Sequence, residues 1–182
     1  MISSTANDSP LTPLRFLQRS AEVYPTKPAI VYGARRYSYA EFADAAQRLA
    51  QALRARIEPG DRVVFLAPNV PEMLIAHFAV PLAGGVLVAL NSRLAKAEID
   101  YILNHSEAKL LFVDAELVAT VGNSLAAAPA LTGVIEIADA EFGLAASGLD
   151  VGQQSYASFL AEADPAAAPL PWTVADERTV IS

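Results

Sequence analysis

The chain has 182 residues, of which 53% are hydrophobic and 18% charged, with a formal net charge of −7. This length suits one domain that buries a substantial core without metal or disulfide support. The absence of cysteine excludes disulfides and thiol chemistry, and the acidic balance argues against nucleic acid as a partner, because phosphate-binding surfaces need clustered Lys and Arg.

The first part of the chain predicts a polar tail and a short helix. Residues 1–10 are polar, so we expect them to form a disordered tail. Pro13–Val23 follows with Leu14, Leu17 and Ala21 at helical spacing and a proline at its start, which predicts a helix.

A hairpin and a capped helix come next. Residues 29–32 and 36–39 resemble strands on either side of the turn Gly33-Ala34-Arg35, which indicates a β-hairpin. Ser38 and Glu41 have the spacing of a capping box. They predict the start of an amphipathic helix, whose apolar face contains Phe42, Ala45, Ala46, Leu49 and Leu53.

The most apolar part of the chain predicts a strand, a helix and a second strand. Arg62–Leu66 and Val86–Leu90 are short apolar runs that resemble buried strands. Asn69, with Glu72 three residues later, predicts a second capping box before the all-apolar helix at residues 73–83, which two glycines end. Two apolar strands joined by a helix are typical of a parallel βαβ unit.

The uncharged run at residues 73–90 approaches the minimum length of a membrane span. Pro81 and the two glycines interrupt it, and its β-branched second half favours a strand, so we predict no transmembrane span. The N-terminus lacks a basic segment followed by an apolar one, so we predict no secretory signal. These features predict a cytoplasmic protein, with peripheral association with a membrane left open.

The alternation of helices and strands continues beyond residue 93 and predicts a doubly wound, mainly parallel α/β sheet flanked by helices. Residues 164–172 contain three alanines and three prolines, which predicts an extended connector. The predicted helices are residues 96–104, 115–128 and 155–162, and the predicted strands are residues 109–113 and 133–137.

The C-terminal residues resemble the first half of another strand, at residues 179–182. We therefore expect a fragment of a longer protein. The predicted organisation is a tail at residues 1–10, an α/β subdomain at residues 11–163, and a connector with the start of a strand at residues 164–182. An open strand edge on so apolar a chain also predicts self-association.

Few residues offer chemistry. His77 and His105 are not at metal-ligand spacing, and for His77, which lies within an apolar helix, a packing role is favoured over a catalytic one. Nucleophile-elbow, Walker-type and dinucleotide-binding motifs are absent. Asn91, Ser92 and Arg93 follow a predicted strand at the edge where α/β sheets bind ligands, although a solvated loop is the simpler interpretation.

Three stretches nevertheless stand out together: YPTKPAIVYGARRYSYAEF, GDRVVFLAPNVPEMLIAHFAVPLAGGVLVALNSRL and AEIDYILNHSEAKLLFVDAEL. They resemble the N-terminal part of acyl-CoA synthetases of the adenylate-forming, AMP-binding superfamily. The similarity extends over residues 11–182, and AHFAVPLAGGVLVALNSRL is most similar to the medium-chain fatty-acyl and methylmercaptopropionate branch.

The resemblance implies an acid–thiol ligase that uses ATP and Mg to convert a fatty or medium-chain carboxylic acid into an acyl-adenylate and then transfers the acyl group to coenzyme A. It also implies that the phosphate loop would begin just after Ser182, so no catalytic residue is assigned in this segment. We expect the segment alone to be inactive and to bind no cofactor.

The resemblance places the turn of Asn91, Ser92 and Arg93 beside the coenzyme A nucleotide, although the residue types differ there from those of the acetyl-CoA synthetase branch. Ala95-Lys96 stands where the family usually has Thr-Pro, so we expect the next helix to lack a side-chain cap. The alternative is a stand-alone α/β binding or scaffold module derived from the same fold.

Overall fold

The computed structural model describes residues 12–122, 128–139, 141, 154–164 and 166–173. Residues 1–10 and 179–182, for which we predicted a tail and a strand, lie outside this described part. The helices are α1 (Pro13–Val23), α2 (Tyr39–Arg54), α3 (Pro71–Ala83), α4 (Lys96–His105), α5 (Val118–Val121) and α6 (Tyr156–Leu160), and the strands are β1 (Pro28–Tyr32), β2 (Arg35–Ser38), β3 (Arg62–Leu66), β4 (Val86–Leu90), β5 (Leu110–Asp114), β6 (Gly133–Ile137) and β7 (Gln154–Ser155).

A parallel five-stranded sheet forms the centre of the fold, with the strand order β4-β3-β5-β6-β7. Val64 of β3 is in register with Val88 of β4 on one side and with Leu111 of β5 on the other. The predicted parallel βαβ unit and the predicted mainly parallel α/β sheet are therefore confirmed. Strands β1 and β2 pair separately as an antiparallel hairpin.

Alternate side chains of the sheet enter two cores, because successive residues of a strand point to opposite faces. On one face, Phe65 stacks on Phe112 with ring centroids 4.4 Å apart, and the edge of Phe159 packs on Phe112 at 5.2 Å. Helices α1, α2, α3 and α6 cover this face. On the other face, Val64 and Leu111 pack beneath α4 and α5.

Helix α2 begins as its sequence predicts. The Ser38 hydroxyl accepts a hydrogen bond from the Glu41 N–H (3.3 Å), and the Glu41 carboxylate accepts one from the Ser38 N–H (2.7 Å). These two bonds satisfy backbone donors that the first helical turn leaves without partners. The predicted capping box is confirmed.

Helix α3 departs from the prediction at its start. Its N-cap is Val70 without a side-chain cap, and the helix begins at Pro71, so the predicted capping box of Asn69 and Glu72 is wrong. A proline at the first helical position has no N–H to satisfy, which lessens the need for a cap. The helix ends at Gly84 with φ +91°, a left-handed conformation that favours glycine.

Two further predictions need correction. The helix predicted at residues 115–128 is, within the described residues, the single turn of α5, because residues 115–117 form a turn and Gly122 caps the C-terminal end. Residues 123–127 lie outside the described part. Strand β7 was not predicted, because its two residues are too short to show a pattern. Residues 166–173 contain neither helix nor strand.

Candidate functional site

A crevice opens where β3 and β4 end. The chain leaves β3 toward α3 on one face of the sheet and leaves β4 toward α4 on the other, and such divergence creates the usual ligand crevice of α/β sheets. Its volume is about 540 Å³. The lining residues are Ala67, Pro68, Asn69, Met73, His77, Ala89, Leu90, Asn91 and Ser92.

The three residues predicted from the sequence form one turn at the mouth of this crevice. The Asn91 side-chain oxygen accepts a hydrogen bond from the Arg93 N–H (3.0 Å), which fixes the turn locally. Asn91 and Ser92 line the crevice, whereas Arg93 is exposed beside it and forms no ion pair with any residue that the structure describes. The turn therefore presents a hydroxyl and an unpaired cation to solvent.

Helix α4 begins just after this turn without a side-chain cap, as predicted. Its N-cap is Ala95, whose methyl group accepts no hydrogen bond, and the Glu98 carboxylate accepts one from the Ala95 N–H (2.8 Å). Only the glutamate half of a capping box is therefore present. Lys96 and Asp100 pair along the exposed side of the helix at 2.6 Å.

His77 lies at the inner end of the crevice, on α3. Its Nδ1 is 2.8 Å from the Met73 carbonyl oxygen, and because a carbonyl can only accept, Nδ1 is the donor. Nε2 has no hydrogen-bonding partner among the described residues. The contact within the helix agrees with the packing interpretation, and the half-buried ring also borders the open space.

A second, more apolar cleft of about 290 Å³ separates the hairpin from the start of α3. Asn69, Met73 and His77 line both clefts, so the two adjoin. The hairpin wall includes Val31, which is 62% exposed. The remaining lining residues are Ile30, Tyr32, Val70, Pro71 and Leu74.

An ion pair fixes the hairpin to α3. The Arg35 guanidinium is 2.6 Å from the Glu72 carboxylate and 2.6 Å from the Tyr37 hydroxyl. Burial by itself lowers the pKa of Arg35, but the hydrogen bonds to Glu72 and Tyr37 outweigh it and raise the pKa. The Glu72 carboxylate thus pairs with the hairpin instead of capping its own helix.

A second contact joins the hairpin to the carboxyl end of β6. The Tyr32 hydroxyl donates a hydrogen bond to Asp139, and the Ala34 N–H donates one to Glu141. Burial and the adjacent carboxylate of Asp139 raise the pKa of Tyr32. Gly33 has φ +55°, a left-handed conformation that favours glycine, and a Cβ there would displace the Glu141 side chain from its contact with the turn.

Asp114 is a buried carboxylate at the end of β5, between these contacts. One oxygen accepts a hydrogen bond from the Glu116 N–H (3.0 Å), and the other has no hydrogen-bonding partner in the part of the chain that the structure describes. Burial, together with the charges of Glu116, Asp139 and Glu72, raises the pKa of Asp114. Within the described ranges, no group of three or more acidic or histidine side chains could hold a metal ion.

A family model described as "AMP-binding enzyme" matches residues 17–175. The chain belongs to this family. The resemblance to the N-terminal part of adenylate-forming acyl-CoA synthetases is thereby confirmed.

Curated relatives that are named as CoA ligases agree with this family assignment. A peroxisomal acetate/butyrate–CoA ligase of Arabidopsis thaliana is 42% identical over 121 residues, which are 66% of this chain and 21% of the relative. A 2-methylpropanoate–CoA ligase of Humulus lupulus is 47% identical over 110 residues, which are 60% of this chain and 20% of the relative. The chain thus spans about a fifth of the length of these relatives.

Solved structures share the fold. An anthranilate CoA ligase in complex with anthranoyl-AMP superposes with a TM-score of 0.78 at 22% identity, covering 93% of this chain and 32% of that one. The N-terminal domain of FACL13 from Mycobacterium tuberculosis has a TM-score of 0.70 at 29% identity, covering 90% of this chain and 38% of that one. The first similarity concerns the fold alone.

No described helix has both the length and the apolar character needed to cross a membrane.

Sequence reasoning found the turn at Asn91 but missed the polar contacts around the hairpin. Arg35 and Glu72 are 37 residues apart, and Tyr32 and Asp139 are 107 apart, so no local pattern reveals either pair.

Proposed function

We propose that the chain forms the N-terminal part of an acyl-CoA ligase, which activates a fatty or medium-chain carboxylic acid as an acyl-adenylate and transfers the acyl group to coenzyme A. Membership of the AMP-binding enzyme family and similarity to proteins named as CoA ligases support this function. The activation makes chemical sense, because a carboxylate accepts a thiol only after one oxygen becomes a phosphate leaving group.

Within this scheme, residues 11–163 are the α/β subdomain and residues 164–182 are the connector that leads to the ATP phosphate loop. ATP and Mg bind to parts of the ligase beyond this segment, so we assign no catalytic residue here. When bound, Mg supplies charge neutralisation for the phosphates. The segment alone is inactive.

The turn of Asn91, Ser92 and Arg93 is the coenzyme A side of the segment. Coenzyme A carries phosphate groups, which an unpaired guanidinium and a hydroxyl are suited to bind. The Arg93 guanidinium is exposed and without an ion pair in the described part, and Ser92 lines the crevice beside it. This geometry is the observation on which the coenzyme A assignment rests.

The activity is tested on the full-length protein with ATP and Mg. We expect pyrophosphate release that depends on a fatty or short carboxylic acid, and a thioester product only when coenzyme A is added. The 182-residue chain alone should give no ATP–pyrophosphate exchange. Failure of the full-length protein to form a thioester from any of these acids would favour a binding or scaffold module instead.

Arg93→Gln in the full-length protein tests the coenzyme A assignment. Loss of one charge-assisted phosphate contact should raise the KM for coenzyme A about 10-fold, with carboxylate-dependent pyrophosphate exchange unchanged. Arg19→Gln is the matched control, because Arg19 is exposed on α1, away from the turn in the chain. Equal effects of the two variants on the KM would refute the assignment.

We also propose self-association of the isolated segment and a cytoplasmic location. β4 is at one edge of the sheet, and exposed strand edges favour pairing with other chains. Light scattering over a range of concentrations tests the association, and a monomer throughout would contradict it.

Some relatives are named peroxisomal, so imaging of the tagged full-length protein decides between a cytoplasmic and a peroxisomal location.

A further inference from the structure

Residues 166–173, the described part of the connector after α6, follow a defined course although they form no helix or strand. Residues 166–169 are exposed, and prolines at positions 169 and 171 remove backbone donors that a sheet would need. Leu170 and Trp172 nevertheless pack against the first core. Few contacts are available to hold such a segment, so each one has a large influence on its position.

Gln47 on α2 provides the strongest polar contact. Its Nε2 donates to the Leu170 carbonyl oxygen at 2.9 Å, and its Oε1 accepts from the Leu170 N–H at 2.8 Å. One side chain thus meets both backbone groups of a residue 123 positions away, as a neighbouring strand would. Gln47 is only 8% exposed, so water does not easily replace these bonds.

Gln51 lies one helical turn further along the same face of α2. Its Nε2 donates to the Ala168 carbonyl oxygen at 3.3 Å in an exposed position. The two glutamines therefore contact alternate residues of the connector, one with two buried hydrogen bonds and the other with a single long, exposed bond. They form a natural pair of test and control positions.

We propose that Gln47 is a positioning residue of the ligase, which fixes the Leu170 backbone and thereby the approach of the chain to the ATP phosphate loop. This role rests on the proposed function, in which that loop follows the connector. Two bonds to the N–H and the C=O of one residue set its lateral position and its orientation together. An error of about 1 Å in the placement of a reacting group lowers a rate by about 100-fold.

The contribution of Gln47 to the local stability of the connector is measured by hydrogen exchange in the 182-residue chain. Gln47→Met keeps the length of the side chain but makes neither bond, so the Leu170 amide should exchange its hydrogen at least 10-fold faster than in the wild type. Gln47→Glu retains the acceptor and loses the donor, and its side chain has nearly the shape of glutamine. It is the second test variant, used where Gln47→Met folds poorly. Gln51→Met should leave Leu170 exchange unchanged.

The positioning role is measured in the full-length protein, well below its melting temperature. Gln47→Met and Gln47→Glu should lower the kcat of carboxylate-dependent ATP–pyrophosphate exchange by about 100-fold. The KM for ATP should change less than threefold, and acyl transfer from supplied acyl-adenylate to coenzyme A should remain at the wild-type rate. Gln51→Met should affect none of these quantities.

The outcomes are distinguishable. Faster Leu170 exchange with an unchanged exchange kcat would overturn the proposal, since the connector would then be released without consequence for the loop. An equal fall in both half-reactions that follows the loss of folded protein would overturn it in favour of a purely structural role. Absence of exchange activity in the wild type would refute the proposed ligase function itself, and this role with it.

Discussion

The central sheet and two segments outside it, the hairpin and the connector (together the edge segments), are stabilised in different ways. Strand β5 is buried along its whole length, and its stability comes from apolar contacts on both faces. The hairpin and the described part of the connector pack only some of their side chains, such as Ile30 and Leu170, against the first core. Specific polar contacts, Arg35–Glu72 and Gln47–Leu170, also hold these segments. Apolar burial is non-directional, whereas these contacts fix orientation.

The difference indicates a division of roles. Strands β3, β4 and β5 provide a rigid base, and the polar contacts set the positions of the hairpin and the connector relative to it. Substitutions in the two regions should therefore differ in kind: those in the base should reduce global stability, and those at the edge should release one segment. The following variants test this comparison, from the largest expected effect to the smallest.

Val64→Asp should have the largest effect. Val64 is fully buried between β4 and β5, so the variant would bury an unpaired carboxylate at a penalty on the order of 5 kcal/mol. That is enough to unfold a domain of ordinary stability. Val31→Asp is the matched control on the exposed hairpin, where we expect a change below about 1 kcal/mol. Urea unfolding measures both, and a cooperatively folded Val64→Asp would show that the base is less tightly packed than described.

Arg35→Met should have an intermediate effect. It leaves the Glu72 carboxylate, whose side chain is 11% exposed, without its ionic partner. We expect a loss of about 2 kcal/mol, between the values for surface and fully buried pairs. Arg48→Met breaks the exposed pair with Asp44 and should change stability by less than about 0.5 kcal/mol. Equal losses in the two variants would contradict the anchoring role of Arg35.

Asp114→Asn should stabilise the protein slightly. The asparagine keeps the acceptor for the Glu116 N–H and removes the negative charge, which is shared by a buried oxygen without a hydrogen-bonding partner among the described residues. We expect a gain of about 1 kcal/mol near pH 7. Asp44→Asn, in the exposed pair with Arg48, provides the control and should be neutral or slightly destabilising.

The gain in Asp114→Asn should depend on pH with a defined sign. Because the pKa of Asp114 is higher in the folded state than its ordinary value of about 3.9, the folded state binds the proton more tightly. The wild type therefore loses stability relative to the variant as the pH rises above about 4, until the folded carboxyl is fully ionised. Urea unfolding between about pH 4 and 8 measures this, and a gain that shrinks with rising pH would contradict it.

The sheet, its helices and the hairpin were predictable because each has a local signal. Alternation of apolar runs located β3, β4 and β6, and the pair Ser38 and Glu41 located the start of α2. The same local logic failed at Asn69, because Glu72 pairs with a residue of the hairpin that the pattern does not include. Within the described residues, helix α5 is shorter than predicted because Gly122 caps its C-terminal end.

The candidate site was predictable only in part. The turn at Asn91 follows from topology, since it comes after a parallel strand. The polar contacts were not predictable, because they join residues separated by 37 to 123 positions. They are Arg35–Glu72, Tyr32–Asp139 and Gln47–Leu170. Such pairs exist only once the chain is folded, and Gln47 itself lies in an amphipathic helix where a glutamine is unremarkable.

Native-state hydrogen exchange of the 182-residue chain near pH 7 tests the division between base and edge most directly. We predict that amides of β3 and β5, such as that of Leu111, exchange only through global unfolding. The amides of Val31 in the hairpin and Leu170 in the connector should exchange faster, through local opening. Protection of these two amides equal to that of Leu111 would contradict the account, because it would make the edge segments part of the same cooperative unit as the sheet.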